Sequence, residues 1–466
     1  MRDLHGIIKL SNANAYVEGQ VGRKDIYLKD GRILKITEAG ENEMSADQEI
    51  PCQGKLLLPG SIDTHVHIRE PGSEARETFE TGTMAAAAGG VTTVCEHPIS
   101  VPPPSNSELL ENRRRLAKPQ AYVDICFFGA LGSESIQEAE DLKRHGVVAY
   151  KTFLQEAMPG REKEFQGMTI ADDYHLLRAL QEAARLDMPI AFHAENNDII
   201  IHTIEEMKQN GYVEPKAHYD SRPVISETEC ISRLLLFAEE TGARILICHI
   251  TSPEAMELVK QAKAKGVRVT AETCPHYLFS CEEDAVALGA FARCNPPIRK
   301  RAQVERLWGY IEDGTVDIIG SDHGPYTLEE KERGRTNIFL APSGFSGLET
   351  RVPLMLDAVL RGKMTLKRMV ELTAENPAKV FRLDNRKGFI REGLDGDFIL
   401  IDPEKETVID CTKMYTKGRE TARLFDGRKV KGQIEMTIVR GMVVAQNGIV
   451  DTKRKGCGEL LFGSGQ

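Results

Sequence analysis

The chain has no Cys-x-x-Cys pair although it carries ten cysteines. That excludes a zinc knuckle or a dense disulfide framework, both of which need closely spaced thiols. Cys95, Cys126 and Cys248 lie inside apolar runs, where a thiol behaves as a small hydrophobe, so the cysteines read as reduced and structural. Long hydrophobic runs are also missing, which excludes a membrane-spanning helix. The start, Met1-Arg2-Asp3-Leu4-His5, lacks the charged-then-apolar layout of a secretory signal, so a cytoplasmic location is expected. Positive charge is in deficit: 60 Lys and Arg stand against 70 Asp and Glu, a net charge of −10. Such a surface attracts neither nucleic acid nor an anionic membrane, which leaves small molecules as the expected partners. Solenoid-type repeats and low-complexity segments are absent as well.

What the 466 residues do contain is a recurrent unit. Eight short apolar segments rich in β-branched residues alternate with helical patterns that end in glycine or proline. The segments are Lys55–His67, Val91–His97, Tyr122–Gly129, Gly146–Thr152, Pro189–His193, Arg244–Ile250, Val267–Thr273 and Thr315–Asp322. The text around Leu176 to Leu186, preceded by Thr169-Ile-Ala-Asp, reads as a capped amphipathic helix, and Glu254 to Lys263 as another. Eight strand-then-helix units in succession predict an α/β fold, a closed parallel (β/α)8 TIM barrel, over residues 55–384.

The flanks have a different rhythm. Asp25 to Ile36 reads as two alternating strands joined at Asp30-Gly31, a hairpin signal. Gly396 to Asp402 and Met436 to Gly448 are again short strands with glycine turns. Residues 1–54 and 385–466 are therefore expected to pair into one small β-sandwich domain that is discontinuous in sequence, with a glycine-rich terminus from Gly456 that frays.

Five of the eight segments end on side chains that bind metals: Asp63-Thr64-His65-Val66-His67, Lys151, His193, His249 and Asp322. In a parallel barrel the strand ends converge on one face, where active residues sit. His65 and His67 project to the same side of a strand because alternate residues share a face, so both imidazoles can reach one ion. The ordinary alternative, satisfied histidines at a loop entry, suits a lone histidine better than this pair. His193 and His249 follow the apolar runs Pro-Ile-Ala-Phe and Ile-Leu-Ile-Cys and would complete a four-histidine set. An ammonium is repelled by a divalent cation, so Lys151 fits such a site only with its charge removed. Carboxylation by CO2 would do this and give a carboxylate able to bridge two metals; a rim lysine that reaches solvent or pairs with Glu156 is the plain alternative. Asp322, in Ile318-Ile-Gly-Ser-Asp-His-Gly-Pro-Tyr, could accept the proton of a metal-activated water and pass it to a leaving nitrogen, or simply cap the next helix. His323 beside it carries no assigned role.

Taken together, Pro59-Gly60-Ser61-Ile62-Asp63-Thr64-His65-Val66-His67, Tyr150-Lys151, His193-Ala-Glu, Glu272-Thr-Cys-Pro-His-Tyr-Leu, Asn295-Pro-Pro-Ile-Arg and Gly320-Ser-Asp-His resemble the cyclic amidohydrolases. That group holds dihydroorotases, hydantoinases (dihydropyrimidinases) and allantoinases, and the similarity spans nearly the whole chain. The resemblance implies two divalent metal ions, zinc first and manganese second, a carboxylated Lys151 between them, and hydrolysis of a ring amide. His65, His67 and Asp322 would hold one ion, and His193 and His249 the other. It also implies a homo-oligomer, a tetramer or dimer.

Motifs for the substrate diverge. Ile68-Arg69-Glu70-Pro71-Gly72 resembles the dihydroorotase stretch whose arginine grips a substrate carboxylate, and Asn295 matches a substrate-contacting position there. Ile99, however, stands where a dihydroorotase has asparagine, and Tyr326 where it has histidine. Pro98-Ile-Ser-Val-Pro-Pro-Pro, Met158-Pro159-Gly160, Ser221-Arg-Pro-Val and Ser346-Gly-Leu-Glu-Thr look closest to L-hydantoinases, then allantoinases. The expected substrate is a cyclic ureide of the hydantoin or allantoin type, with dihydroorotate as the alternative. Arg69 has its own plain reading, a rim arginine paired with Glu70 or Glu74. The loop from Gln155 to Gly167 is expected to cover the site. Two further classes are weighed: a metal-free scaffold, which would lack ligands this chain keeps, and a deaminase on the same barrel, which would not need Lys151.

Overall fold

The computed structural model describes residues 6–41, 44–156 and 160–463. Met158 and Pro159 of one quoted motif, part of the Gln155 to Gly167 loop, and the outermost residues of both flanks lie outside that set.

The eight barrel strands run in order around one parallel sheet: Ser61–Val66, Val91–Glu96, Asp124–Ala130, Ala149–Phe153, Pro189–His193, Arg244–Ile247, Val269–Thr273 and Ile318–Ile319. Strand eight is only two residues long, and closure onto strand one is made just beyond it. His67 N donates to the His323 carbonyl at 2.8 Å, and His323 N to the His65 carbonyl at 3.2 Å. The lumen below the site is filled by inward side chains, among them Ile62, Cys95, Cys126, Leu246 and Ile318, as a barrel of this size requires. All ten cysteines are free thiols.

Helices pack outside, and their ends follow local chemistry. Asp172 caps Asp173–Arg185 by accepting from His175 N, and Ser252 caps Pro253–Ala264 by accepting from Ala255 N. The long helix Val224–Thr241 stops at Gly242, which takes the left-handed conformation (φ 70°) that a side chain disfavours.

Both termini build one nine-stranded sheet beside the barrel, so the fold is a TIM barrel with a small β-domain made from the two chain ends. The Asp30-Gly31 hairpin is present, joining Gln20–Lys29 to Arg32–Glu38 with both turn residues at positive φ. Two sequence expectations are corrected. The segment read as one strand, Lys55–His67, is two: Leu56–Pro59 pairs with Phe398–Ile401 in the β-domain, and the chain crosses to the barrel at Gly60. A Cβ on Gly60 would fall 2.8 Å from Thr92 Cγ2 and 2.9 Å from Asp397 Cβ, so only glycine fits the crossing. The terminus after Gly456 does not fray as far as residue 463. Gly458 N donates to the Ala121 carbonyl and Leu461 N to the Ile125 carbonyl, and Leu461 is buried. The apolar side chains at 460 and 461 outweigh the glycine content there.

Barrel and β-domain are joined through a buried charge cluster. Lys387 donates to Asp395 at 2.8 Å and Asp397 at 2.6 Å and also pairs with Asp124, which Arg440 contacts from the other side. The three carboxylates are grouped closely enough for a metal ion, but the Lys387 ammonium pairs with all of them.

Candidate metal centre

The five strand-end segments converge on one cavity of about 1180 Å3, whose lining includes His65, His67, Lys151, His193, His249 and Asp322. Their ligand atoms fall into two sets. Asp322 Oδ1 lies 3.3 Å from His65 Nε2 and 3.4 Å from His67 Nε2. His193 Nδ1 lies 3.2 Å from His249 Nε2. Bonds of about 2.0–2.1 Å at tetrahedral angles would set ligand atoms about 3.3 Å apart, so each set has the edge length of a coordination shell. His65, His67 and Asp322 form a metal-sized group by themselves.

Backbone geometry delivers these groups. His249 (φ 39°) and Asp322 (φ 49°) both take left-handed conformations just past their strands. For residues with a Cβ this costs about 1–3 kcal/mol each, a strain typical of functional sites. It turns each side chain out of the strand direction and over the lumen.

Electrostatics favour metal binding. Burial holds His65, His67 and His249 well below the ordinary 6.5, and Lys151 adds to the effect. His193 is lowered too, with burial outweighing its hydrogen bond to Glu195. All four rings are therefore neutral at pH 7, with lone pairs free to coordinate. Burial pushes the Asp322 carboxyl up to about 8, reinforced by Glu272 and opposed by Lys151 and Arg69. A cation beside it would reverse that shift.

Lys151 is wholly buried. Its Nζ lies 3.1 Å from Cys248 Sγ, and it neither reaches solvent nor pairs with Glu156.

Two carboxylates that sequence reasoning quoted only within motifs orient the histidines. Glu272 Oε1 is 2.7 Å from His65 Nδ1, and Glu195 Oε2 is 2.9 Å from His193 Nε2. Each contact turns the ring's other nitrogen toward the centre, as carboxylates behind metal-binding histidines do. His97, which sequence reasoning passed over, stacks on His65 with ring centroids 3.9 Å apart. His323 is fully buried; Nε2 lies 3.1 Å from Glu77 and Nδ1 accepts from Gly347 N, so its role is structural.

The remaining wall is cationic and aromatic. Arg69 is buried and its guanidinium lies 5.1 Å from the Tyr326 ring, with Nε and Nη1 lacking hydrogen-bond partners. Glu70 instead accepts from Phe79 N, and Glu74 from Gly72 N, so the rim pairing weighed as the plain alternative for Arg69 does not form. Asn295 Oδ1 is likewise buried and without a partner. Ile99 packs with Phe165 and Phe153 on an apolar side of the cavity. Of the covering loop, Gln155, Glu156, Gly160, Arg161 and Glu164 line the cavity.

No helix among the described residues is long and apolar enough to cross a membrane. The amidohydrolase family model matches residues 56–444. An L-hydantoinase from Paenarthrobacter aurescens is 34% identical over 91% of this chain and 92% of its own length. A dihydroorotase from Bacillus cytotoxicus is 35% identical over 92% of this chain and 96% of its own. Among solved structures, an L-hydantoinase (dihydropyrimidinase) from Arthrobacter aurescens superposes with a TM-score of 0.93 at 32% identity, covering 98% of this chain and 99% of that one. A D-hydantoinase structure gives 0.89, also at 32% identity, over 97% and 98%. With donors paired at coordination distance on the strand ends and a family match across most of its length, the chain belongs to the amidohydrolase family.

Proposed function

We propose that this protein is a metal-dependent cyclic amidohydrolase that opens the ring amide of a cyclic ureide of the hydantoin or allantoin type. The observation that carries the reading is the pair of donor sets, Asp322 with His65 and His67 and His193 with His249, around a buried Lys151. A free ammonium enclosed there has no carboxylate partner among the described residues, which supports Lys151 as the carboxylated bridge. His65, His67 and Asp322 would hold one ion and His193 and His249 the second, with zinc the first candidate and manganese the next. Such ions activate water at neutral pH and polarise a carbonyl.

The chain's own residues supply the rest. Asp322 receives the attacking water's proton on its carboxylate and returns it to the ring nitrogen as the carbon–nitrogen bond breaks. Glu272 and Glu195 hold His65 and His193 in the required tautomers. Arg69 and Asn295, each with unpaired polar atoms in the wall, bind the substrate. A complete ligand set speaks against a metal-free scaffold. We assign the protein to the cytoplasm as a homo-oligomer.

Dihydroorotate is the second reading, favoured by one observation: Nε and Nη1 of the buried Arg69 lack hydrogen-bond partners and are suited to a ring carboxylate. Ile99 and Tyr326 favour the ureide. The deciding experiment is a turnover panel of dihydroorotate, allantoin, dihydrouracil, hydantoin and substituted hydantoins of both hands, with metal analysis of the same sample. Opening of hydantoins or allantoin is expected; a protein with stoichiometric metal that opens none of these rings would overturn the reading.

A further inference from the structure

Lys331 is fully buried on the short helix Leu328–Glu332 and has no carboxylate partner among the described residues. Its ammonium donates to two backbone carbonyls, Pro342 O at 3.0 Å and Arg293 O at 3.3 Å, and lies 5.8 Å from the centre of the Tyr326 ring. Burying an amine this way is unfavourable unless the acceptors need it, because a methionine would fill the same space without desolvating a charge. The acceptors belong to segments that share a second link: Gly344 N also donates to Arg293 O, at 2.9 Å. Gly344 in turn packs against the segment after Asp322, where a Cβ on it would stand 2.7 Å from Gly324 O. Three segments, 293–295, 324–326 and 342–344, thus meet around one amine. Each of them lines the cavity, through Arg293, Asn295, Tyr326 and Gly344 among others.

We propose that Lys331 is a positioning residue that, from behind the wall facing the metal centre, sets the three segments in the arrangement that binds the ring substrate. It touches neither the substrate nor the metal ligands and acts through Arg293, Tyr326 and the turn at 342–344. The proposal rests on the ring-opening function above. Burial, with Arg293 adding to it, brings the Lys331 amine down to about 7. A neutral amine keeps its N–H donors, so the carbonyl contacts persist in either state.

The test compares Lys331→Met, which keeps length and loses the donors, with Lys331→Gln, which keeps an N–H donor. For whichever ring the wild-type enzyme opens, Lys331→Met is expected to raise KM by about tenfold or more while kcat stays within about threefold, the scale of a lost charge-assisted contact. Metal content should match wild type, and Lys331→Gln should recover part of the KM. An unchanged KM in Lys331→Met, or a loss confined to kcat or to metal content, would overturn the proposal.

A second readout needs no substrate and survives poor folding of the methionine variant. In Lys331→Gln the amides of Gly344 and Gly324 should exchange about tenfold faster than in wild type, while those of strand Arg244–Ile247 keep their rates. Equal exchange at Gly344 and Gly324 would sink the idea. If the wild-type enzyme opens no ring at all, the proposed function fails, and amide exchange still reports on Lys331.

Discussion

Lys151 Nζ and Cys248 Sγ lie 3.1 Å apart inside a barrel wall that gives the lysine no contact with solvent. A thiol is a weak acceptor for an ammonium, so the amine is poorly satisfied as a cation. Lys151→Ala should lower activity about a thousandfold or more, since several kcal/mol of transition-state stabilisation go with it. Metal content should also fall from two ions per chain toward one or none. Steady-state rates beside elemental analysis check both, and preserved turnover would contradict the bridging role.

Asp322→Asn separates binding from proton transfer. The amide oxygen still faces His65 and His67, so metal should stay largely bound, while kcat falls by about 10²- to 10⁴-fold for want of a base. An undiminished rate in the metal-loaded variant would remove Asp322 from proton transfer.

Arg69→Ala tests whether the guanidinium reads charge. The ratio of kcat/KM for a carboxylate-bearing ring to that for unsubstituted hydantoin should drop roughly 10- to 100-fold. Equal losses on both would show that Arg69 does not discriminate by charge.

The buried cluster around Lys387 gives a stability prediction with a pH signature. Burial alone would raise the Asp124 carboxyl, but Lys387 and Arg440 outweigh it and hold the group at about 2, below its ordinary 3.8. A depressed carboxyl contributes stability above its unfolded value that is lost as pH falls through the folded one. Lys387→Met should therefore destabilise the protein at pH 7 by about 3–5 kcal/mol, as for a buried charge stripped of its partner. The gap to wild type should narrow between pH 4 and pH 2, roughly the window set by those two values. Burial raises Asp397 while Lys387 lowers it, so loss of the ammonium raises this carboxyl too and adds to the gap in the same sense. Urea titrations at several pH values measure the gap; one that widens in acid would contradict the assignment.

The barrel and its candidate ligands were legible in the sequence because strand periodicity and strand-end position are local properties. His65 and His67 announce a shared face by spacing alone, and His193, His249 and Asp322 each close an apolar run. Other features depend on distance across the fold. Glu272 meets His65 from 207 positions away, and nothing in its neighbourhood marks that contact. Lys331 looks like one more charge on a short helix until Arg293 and Pro342 fold over it. The strand break at Gly60 was hidden because both halves are extended and apolar. For Arg69 the sequence left a rim pairing with Glu70 or Glu74 open beside substrate binding, because those carboxylates are its neighbours in the chain; in the fold Glu70 accepts from Phe79 N and Gln120 Nε2, and Glu74 from Gly72 N.

The pairing of Leu57 with Leu400 brings together residues separated by the entire barrel. During synthesis, the early strand Leu56–Pro59 must wait with its outer edge unmatched until Phe398, of the 466 residues, has emerged. Completion of this sheet is consequently a late event, and a chain that terminates prematurely before Phe398 leaves an open, apolar strand edge available to other molecules.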